Sequence, residues 1–332
     1  VVLGLAARLG RFCTLGAVED MLYQGSSVRM RMWGLAIGVA VLGSFTLIGL
    51  GLLQPEQSIY LGFAFNPFAA VLGGLVFGYG MALAGNCGFG TLARLGGGDL
   101  RSFVIVLVMG ISAYVTLSGP LAALRVAVFP APPVEGALPG LAHLIAESAG
   151  LPLVATGLAI GGAIVVIALW SSQMRARPKA IFWGAMVGLA VASGWAGTQW
   201  VAAHGFAAVP VESHTFSAPL GDTILYLMTS SGTSLNFGVG SVAGVLLGAF
   251  IGSLINGHFR WEACEDPREL RRQILGGALM GVGAVVAFGC TIGQGISAFS
   301  VLAFSAPVTM LSIIAGCAFG LRQLIEGFAP AE

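Results

Sequence analysis

Charged residues are scarce in this chain. Lys, Arg, Asp and Glu together make up 9% of the 332 residues, whereas hydrophobic residues make up 57% and the mean hydropathy is +0.92. Soluble domains carry about 25% charged residues, so this composition excludes an ordinary soluble domain and indicates a protein embedded in lipid. The net charge of +1 gives no reason to expect nucleic acid or another polyanion as a partner.

The cysteine and histidine patterns of common cofactor sites are also missing. The chain has five cysteines but no C-x-x-C pair, and its four histidines are scattered. Structural zinc sites and thioredoxin-like redox sites need such residues at short, regular spacing. We therefore expect no metal, no cofactor and no dithiol redox site, which leaves isolated thiols as the available chemistry. The five cysteines are Cys13, Cys87, Cys264, Cys290 and Cys317.

Long apolar runs divide the chain into membrane-spanning segments, because each approaches the ~20 residues that cross the hydrocarbon layer. They cover 32–53, 66–85, 102–124, 151–171, 181–203, 235–256, 274–289 and 306–325, with a partial run at 1–18. Shorter apolar pieces near 137–146 and 220–229 predict re-entrant or interfacial helices. The proline-rich stretch 125–150 cannot form one continuous helix. The sequence predicts an all-α polytopic membrane protein with one domain over 1–332.

A string of small residues ending in a cysteine occurs twice, at a constant offset of 203 positions. Its first copy is Gly73, Gly74, Gly78, Gly80, Ala84, Cys87 and Gly90, and its second is Gly276, Gly277, Gly281, Gly283, Ala287, Cys290 and Gly293. Glycine ladders let helices pack closely in a membrane.

The distribution of basic residues gives the two copies opposite directions. The loops around 29–31, 175–179 and 260–272 carry arginine or lysine and should face the cytoplasm, whereas 54–66 and 203–219 carry neither and should face outward. The sequence therefore predicts inverted-topology repeats over about 1–124 and 204–325, an arrangement that places a transport site at the repeat interface.

Three cysteines share the local pattern C-x-x-G, in which small residues break the helix after the thiol: Cys13, Cys87 and Cys290. New helices beyond the breaks, predicted over Thr91–Leu95 and Ile296–Val301, would offer free N–H groups and a dipole that favour an anion. A thiol in apolar surroundings stays protonated and suits a polarisable, sulfur-containing anion. Further candidates for the solute path are Gly16, Asn86, Gly88, Gly90, Thr291, Gly293 and Gln294.

Other residues near the breaks have more than one interpretation. Asn86 and Gln294 either cap the short helices or touch solute. Arg11, Arg94 and Arg101 either draw an anion inward or extend to the lipid headgroups. Glu19 and Asp20 are expected to pair with Arg11 or Arg29, and the polar stretch 229–234 is a candidate for a degenerate fourth loop. Cys264 and Cys317 carry no C-x-x-G pattern, and we expect neither to have a functional role.

These motifs together resemble the YeeE/YedE family, in its thiosulfate-transporter branch, over nearly the whole chain. The resemblance is carried by Arg11-Phe12-Cys13-Thr14, by Gly73-Gly74 through Asn86-Cys87-Gly88, and by Gly276-Gly277 through Gly289-Cys290-Thr291. It implies an inner-membrane permease that takes up thiosulfate, with an hourglass shape narrowed by re-entrant loops. It also implies that Cys13, Cys87 and Cys290 relay the ion by S–H···S contacts without covalent capture, and that a small cytoplasmic sulfur-carrier protein can act as a partner.

Two alternatives stay open at this point. The family also has a branch linked to selenium metabolism, so the solute could be another sulfur or selenium oxyanion. A membrane thiol–disulfide or sulfurtransfer enzyme would use Cys87 and Cys290 as a redox pair, but such enzymes usually need a nearby resolving cysteine. We expect a transporter rather than an enzyme.

Overall fold

The structure, a computed structural model of the chain, describes residues 1–134, 136, 138–206, 209–263 and 266–327. Within these ranges it contains α-helices, a 3₁₀ turn at Pro55–Gln57, a π-helical turn at Gly293–Ala298 and no β-strand. The helices are α1 (Val2–Leu9), α2 (Thr14–Tyr23), α3 (Val28–Gly49), α4 (Pro67–Ala84), α5 (Gly88–Gly96), α6 (Leu100–Leu117), α7 (Ala122–Val128), α8 (Leu141–Ala149), α9 (Leu153–Leu169), α10 (Ser172–Arg175), α11 (Pro178–His204), α12 (Ala218–Thr229), α13 (Phe237–Ile255), α14 (Pro267–Val286) and α15 (Ser305–Glu326). The predicted all-α class is confirmed.

Six helical elements are long and apolar enough to cross a membrane: α3, the α4–α5 unit, α6, α11, α13 and α15. The apolar helix α9 has 17 residues, and α14 has 20 residues with a charged first turn. Each of the eight long apolar runs therefore coincides with a helix, and the chain is a multi-pass membrane protein. The run at 1–18 is divided into α1 and α2, and the proline-rich stretch separates α7 from α8 as predicted.

Local sequence sets where the two central helices begin. Both have proline at their first position, where the missing N–H is not needed. Before α4, the side chain of Asn66 accepts a hydrogen bond from the Ala69 N–H at 3.1 Å. Before α14, Asp266 accepts one from the Arg268 N–H at 2.8 Å. These caps satisfy N–H groups that the helix itself leaves free.

The two glycine ladders pack against each other, so that α4 and α14 form the centre of the molecule. A Cβ atom added at Gly73 would lie 2.5 Å from the Ala287 nitrogen, and one added at Gly276 would lie 2.5 Å from the Ala84 nitrogen. No side chain fits there, because real Cβ atoms do not approach backbone so closely. The ladders thus bring the two helices together within one chain.

The outer faces of the same ladders each hold a further helix. On α4, a Cβ at Gly74 would lie 2.7 Å from the Ser312 Cβ of α15; on α14, a Cβ at Gly281 would lie 2.5 Å from the Met109 carbonyl of α6. The first residue of α15 lies about 203 positions after the first residue of α6. The helices α12 and α13 likewise follow α2 and α3 by about 203 positions. The division into inverted repeats stays a prediction, and this matched packing supports it.

Candidate functional site

The three C-x-x-G cysteines occupy equivalent positions at the start of short helices. Cys13 and Cys87 directly precede α2 and α5, and Cys290 precedes the π-helical turn. Each sulfur accepts a hydrogen bond from the glycine N–H three residues later, at 3.5 Å for Gly16, 3.4 Å for Gly90 and 3.4 Å for Gly293. The C-x-x-G spacing is therefore that of an N-cap with sulfur as the acceptor.

Both predicted short helices are present, but they begin earlier than expected. The first, α5, starts at Gly88 rather than at Thr91, because the cysteine itself caps it. The second is the π-helical turn Gly293–Ala298 rather than Ile296–Val301. Single π-helical turns are frequent at functional sites.

A residue with left-handed backbone lies two positions before each of these cysteines. They are Arg11 (φ 53°), Gly85 (φ 74°) and Phe288 (φ 63°). Glycine adopts this conformation freely, whereas arginine and phenylalanine do so at a cost, and such strain concentrates at functional sites. The left-handed turn at Arg11 and Phe288 could not be predicted from the sequence, since neither residue type favours it.

Asn86 joins the Cys13 and Cys87 loops. The Cys13 thiol donates to the Asn86 Oδ1 at 3.3 Å, and the same oxygen accepts from the Cys87 N–H at 3.1 Å. Cys87 is 1% exposed and Cys13 is half-buried. Two thiols from separate segments of the chain therefore lie around one amide.

Cys290 has different neighbours. Its sulfur accepts from the Phe216 N–H at 3.2 Å and lies 3.6 Å from the Thr215 hydroxyl. Phe216 stands 203 residues after Cys13, so the segment before α12 takes the place of a fourth loop. The interpretation of 229–234 as that loop was wrong, since this stretch is exposed beyond the end of α12.

Two threonine hydroxyls beside the thiols are buried without a hydrogen bond. They belong to Thr14 and Thr291, which follow Cys13 and Cys290 and are 1% and 0% exposed. Thr291 lies near the Cys87 thiol, although by geometry the two groups form no hydrogen bond. A buried hydroxyl without a partner costs about 1–3 kcal/mol. Neither hydroxyl has a hydrogen-bond partner in the described part of the chain.

The Gln294 side chain bonds to the end of the preceding helix, α14, rather than to a short helix beyond the break. Its amide nitrogen donates to the carbonyls of Ala287 and Phe288, both at 3.1 Å, and its oxygen accepts from the Ser305 hydroxyl at 3.0 Å. It thereby closes the end of α14. Both ends of the amide are engaged within the protein, and Gln294 also lines a small cavity of about 50 Å³.

The glycines of the motifs permit close approach by other loops. A Cβ atom at Gly88 would lie 2.7 Å from the Met109 side chain, and one at Gly293 would lie 2.5 Å from the Thr215 hydroxyl. A Cβ atom at Gly16 would likewise meet the Arg29 side chain, and one at Gly90 would meet the Asn86 side chain. These glycines position the thiols and offer no group of their own beyond the backbone N–H.

A cavity of about 390 Å³ opens beside Cys290, on the side that we predict faces outward. Tyr60, Thr215, Arg125 and Gly289 are among its lining residues. Burial raises the pKa of Tyr60, and the nearby Cys290 and Glu212 raise it further, so its hydroxyl stays protonated and can donate. The cavity thus ends at Thr215 and Gly289, which adjoin the buried Cys290.

The opposite face carries two cavities of about 550 and 570 Å³ that share Arg8 and His258. Arg94 lines the first of them, and Arg11 lines the second. Arg94 also lies near enough to Cys13 to act on a charge there. This basic face gives an anion a favourable environment beyond Cys13.

Arg101 is held in a network of acidic side chains. It contacts Asp99 at 3.2 Å, Glu269 at 3.8 Å and Glu262 at 3.9 Å. Of the two roles considered for Arg101, attracting an anion or extending to headgroups, the structure supports neither directly.

Asp20 pairs with Arg29 at 3.2 Å, which is one of the two expected pairings.

The remaining cysteines lie apart from the C-x-x-G loops in the sequence. Cys317 is fully buried on α15, where its backbone packs against Gly78. Cys264 lies outside the described residues. The described cysteines are free thiols, and no group of three metal-binding side chains occurs in the part of the chain that the structure describes.

Known transport proteins are similar to this chain over most of its length. A family model described as sulphur transport matches residues 9–319. The thiosulfate transporter TsuA of Escherichia coli (strain K12) is 28% identical over 334 residues, which cover 95% of this chain and 90% of the relative. The thiosulfate transporter TsuA of Spirochaeta thermophila is 25% identical over 332 residues, which cover 94% and 93%. With its six membrane-crossing elements, the chain belongs to the sulphur transport family, as a multi-pass protein of the bacterial inner membrane.

Proposed function

We propose that this protein is a permease for thiosulfate uptake. The observation that carries the proposal is the set of three thiols, each fixed at the start of a short helix around the two packed glycine ladders. Two relatives that align with at least 94% of this chain are named thiosulfate transporters. The same anion is therefore the best-supported solute here.

The contacts suggest an order for the path. Solute from the outward cavity first meets Cys290, which adjoins Thr215 in the cavity wall. Thr291 of this loop lies near the Cys87 thiol, and Asn86 accepts hydrogen bonds from both Cys87 and Cys13. We place the steps as Cys290, then Cys87, then Cys13, followed by release to the basic inner face.

The chemistry of a thiol suits a relay without covalent capture. A neutral S–H donates weakly to the terminal sulfur of thiosulfate, while a thiolate would repel the dianion. The free N–H groups at the helix starts and the hydroxyls of Thr14 and Thr291 supply polar contacts for the oxygen end. Weak contacts in series allow both entry and release, which conduction requires.

Transport without chemical turnover is part of the proposal. Cys87 and Cys290 lie on different loops and neither has a C-x-x-C partner. A sulfurtransfer enzyme would leave a persulfide on one of them. Intact-mass measurement after exposure to thiosulfate should show an unmodified protein, and an added sulfur on Cys87 or Cys290 would favour the enzyme instead.

A small cytoplasmic sulfur-carrier protein is proposed as a partner at the inner face. The support is the cluster of Arg8, Arg11, Arg94 and Lys179 around the inner cavities, which fits an acidic or sulfur-oxyanion-bearing surface. Binding of a purified carrier to the protein in nanodiscs, weakened by added salt, would support this partner.

The function is tested by growth on thiosulfate as sole sulfur source, in bacteria that lack their own sulfate and thiosulfate uptake. Cells with this protein should grow, and cells with an empty vector should not. Uptake of ³⁵S-thiosulfate should fall with excess unlabelled thiosulfate and change little with selenite. Strong inhibition by selenite with weak inhibition by thiosulfate would indicate a selenium oxyanion as the solute.

A further inference from the structure

Arg125 is a charged side chain placed between two adjoining cavities near the outward end of the path. The larger is the 390 Å³ cavity beside Cys290, and a smaller one of about 50 Å³ adjoins it. Among the described residues that line either cavity, Arg125 is the only charged one. The other shared lining residues are mostly apolar, with Phe63, Phe129 and Phe288 among them.

The guanidinium of Arg125 is incompletely satisfied. Its Nε atom is buried and has no hydrogen-bond partner. One terminal nitrogen donates to the Leu117 carbonyl at the long distance of 3.5 Å, and no acidic side chain of the described chain pairs with it. Arg125 is half-buried, and a buried N–H donor without a partner costs free energy, so this atom calls for a structural explanation.

The position of Arg125 relative to the first thiol supplies that explanation. The cavity that it lines also reaches Thr215, which lies 3.6 Å from the Cys290 sulfur, and Gly289, which precedes Cys290. Arg125 therefore lines a cavity whose wall includes Thr215 and Gly289, the two residues that adjoin the buried Cys290 thiol. Guanidinium groups bind the oxygens of tetrahedral oxyanions by charge-assisted hydrogen bonds, whereas the thiol favours a sulfur atom.

We propose that Arg125 forms an outer capture site for divalent tetrahedral oxyanions, before and separate from the thiol relay. The site recognises the –SO₃ end that thiosulfate shares with sulfate, so sulfate occupies it but does not proceed past Cys290. The thiols then discriminate between thiosulfate and sulfate. This inference rests on the proposed function and adds to it a binding residue and a competing ligand.

The experiment measures initial uptake of ³⁵S-thiosulfate into proteoliposomes, with and without sulfate. Wild type should transport thiosulfate with competitive inhibition by sulfate. Arg125→Gln should raise KM by about ten- to a hundredfold, the range expected for a lost charge-assisted hydrogen bond, and should lose inhibition by sulfate. Arg125→Lys should lie between the two. The matched control is Arg322→Gln, an exposed arginine that pairs with Glu326 on α15.

Each outcome bears on a separate claim. An unchanged KM and unchanged sulfate inhibition in Arg125→Gln would overturn the capture site, and so would a fall in kcat alone. Absence of thiosulfate uptake by wild type would instead contradict the proposed function. If Arg125→Gln does not fold, sulfate-dependent thermal stabilisation of wild type and Cys290→Ala decides: stabilisation of both supports a site separate from the thiol, and stabilisation of neither overturns it.

Discussion

The two halves of the chain place different chemistry at positions 203 residues apart. In the N-terminal half, Cys13 and Cys87 share the Asn86 amide, so two thiols lie around one polar group. In the C-terminal half, Phe216 stands where Cys13 would be, and Cys290 takes its hydrogen bond from the Phe216 backbone. Corresponding helices therefore hold two thiols in the N-terminal half, but one thiol and an aromatic residue in the C-terminal half.

The difference indicates that the path is asymmetric along the membrane. The single-thiol side adjoins the outward cavity, and the two-thiol side leads to the basic inner face. An anion would meet one weak donor on entry and two donors deeper in the path. We expect the strongest binding in the N-terminal half, close to the inner release point.

The largest expected effect comes from making the two halves alike. Cys13→Phe installs the residue that the C-terminal half carries, and the Phe216 ring is fully buried and packs 5.4 Å from the Phe89 ring. A ring at position 13 should block the path and lower uptake at least about tenfold below that of Cys13→Ser, which keeps a small donor. Proteoliposome uptake measures this, with gel filtration to verify folding. Wild-type rates in folded Cys13→Phe would exclude Cys13 from the path.

The glycine ladders offer a comparison of packing. A Cβ atom at Gly80 would lie 2.7 Å from the Gly276 carbonyl, and one at Gly276 would lie 2.6 Å from the Gly80 carbonyl. Gly80→Ala and Gly276→Ala should each destabilise the protein by about 1–3 kcal/mol through overpacking. The control is Gly162→Ala on α9, where nothing lies within 4 Å. Thermal unfolding in detergent measures the effect. A Gly80→Ala variant as stable as wild type would contradict the close contact between α4 and α14.

A smaller effect is expected at Thr291, whose matching position in the N-terminal half is Gly88. Thr291→Val removes the unpartnered hydroxyl but keeps the side-chain shape, so uptake should fall by about three- to tenfold, while Thr291→Ser should retain most of it. The measurement is the KM for thiosulfate in proteoliposomes. A loss of uptake in Thr291→Ser with none in Thr291→Val would indicate that the methyl group, and not the hydroxyl, matters.

A last difference between the halves is a pH dependence of stability at Glu212, in the C-terminal half. Burial raises the pKa of Glu212 to about 7 from 4.5, with a further contribution from Asp222. The folded state therefore retains a proton that the unfolded state releases, so stability falls as pH rises from about 4.5 to about 7 and is level above. Thermal unfolding of Glu212→Gln should lose this dependence. The matching residue in the N-terminal half is Leu9, which does not titrate.

Much of the fold follows from the sequence because hydropathy and glycine spacing act locally. The apolar run 66–85 predicts α4 to within one residue at each end, and the repeated ladder predicts that α4 and its copy contact a close neighbour. The C-x-x-G pattern also predicts a helix break with a new helix beyond it. These features depend on residues close together in the chain.

The rest of the site depends on contacts between distant segments. The left-handed backbone at Phe288 and Arg11 has no residue-type signal, because tertiary packing imposes it. The approach of Phe216 to Cys290 joins residues 74 positions apart, and only the offset of 203 could have pointed to it. The role of Arg125 could not be predicted for a similar reason, because its cavity is formed by loops near 60, 130, 215 and 288, which are distant in the chain.

The most direct test of the thiol path is ³⁵S-thiosulfate uptake by proteoliposomes that contain wild type, Cys87→Ala or Cys317→Ala at equal protein content. Cys87 lies between the other two loops, whereas Cys317 is buried on α15 and follows no C-x-x-G loop. Uptake should be lost in Cys87→Ala and kept in Cys317→Ala. Uptake by Cys87→Ala at the wild-type rate would contradict the relay, even if the protein transports thiosulfate.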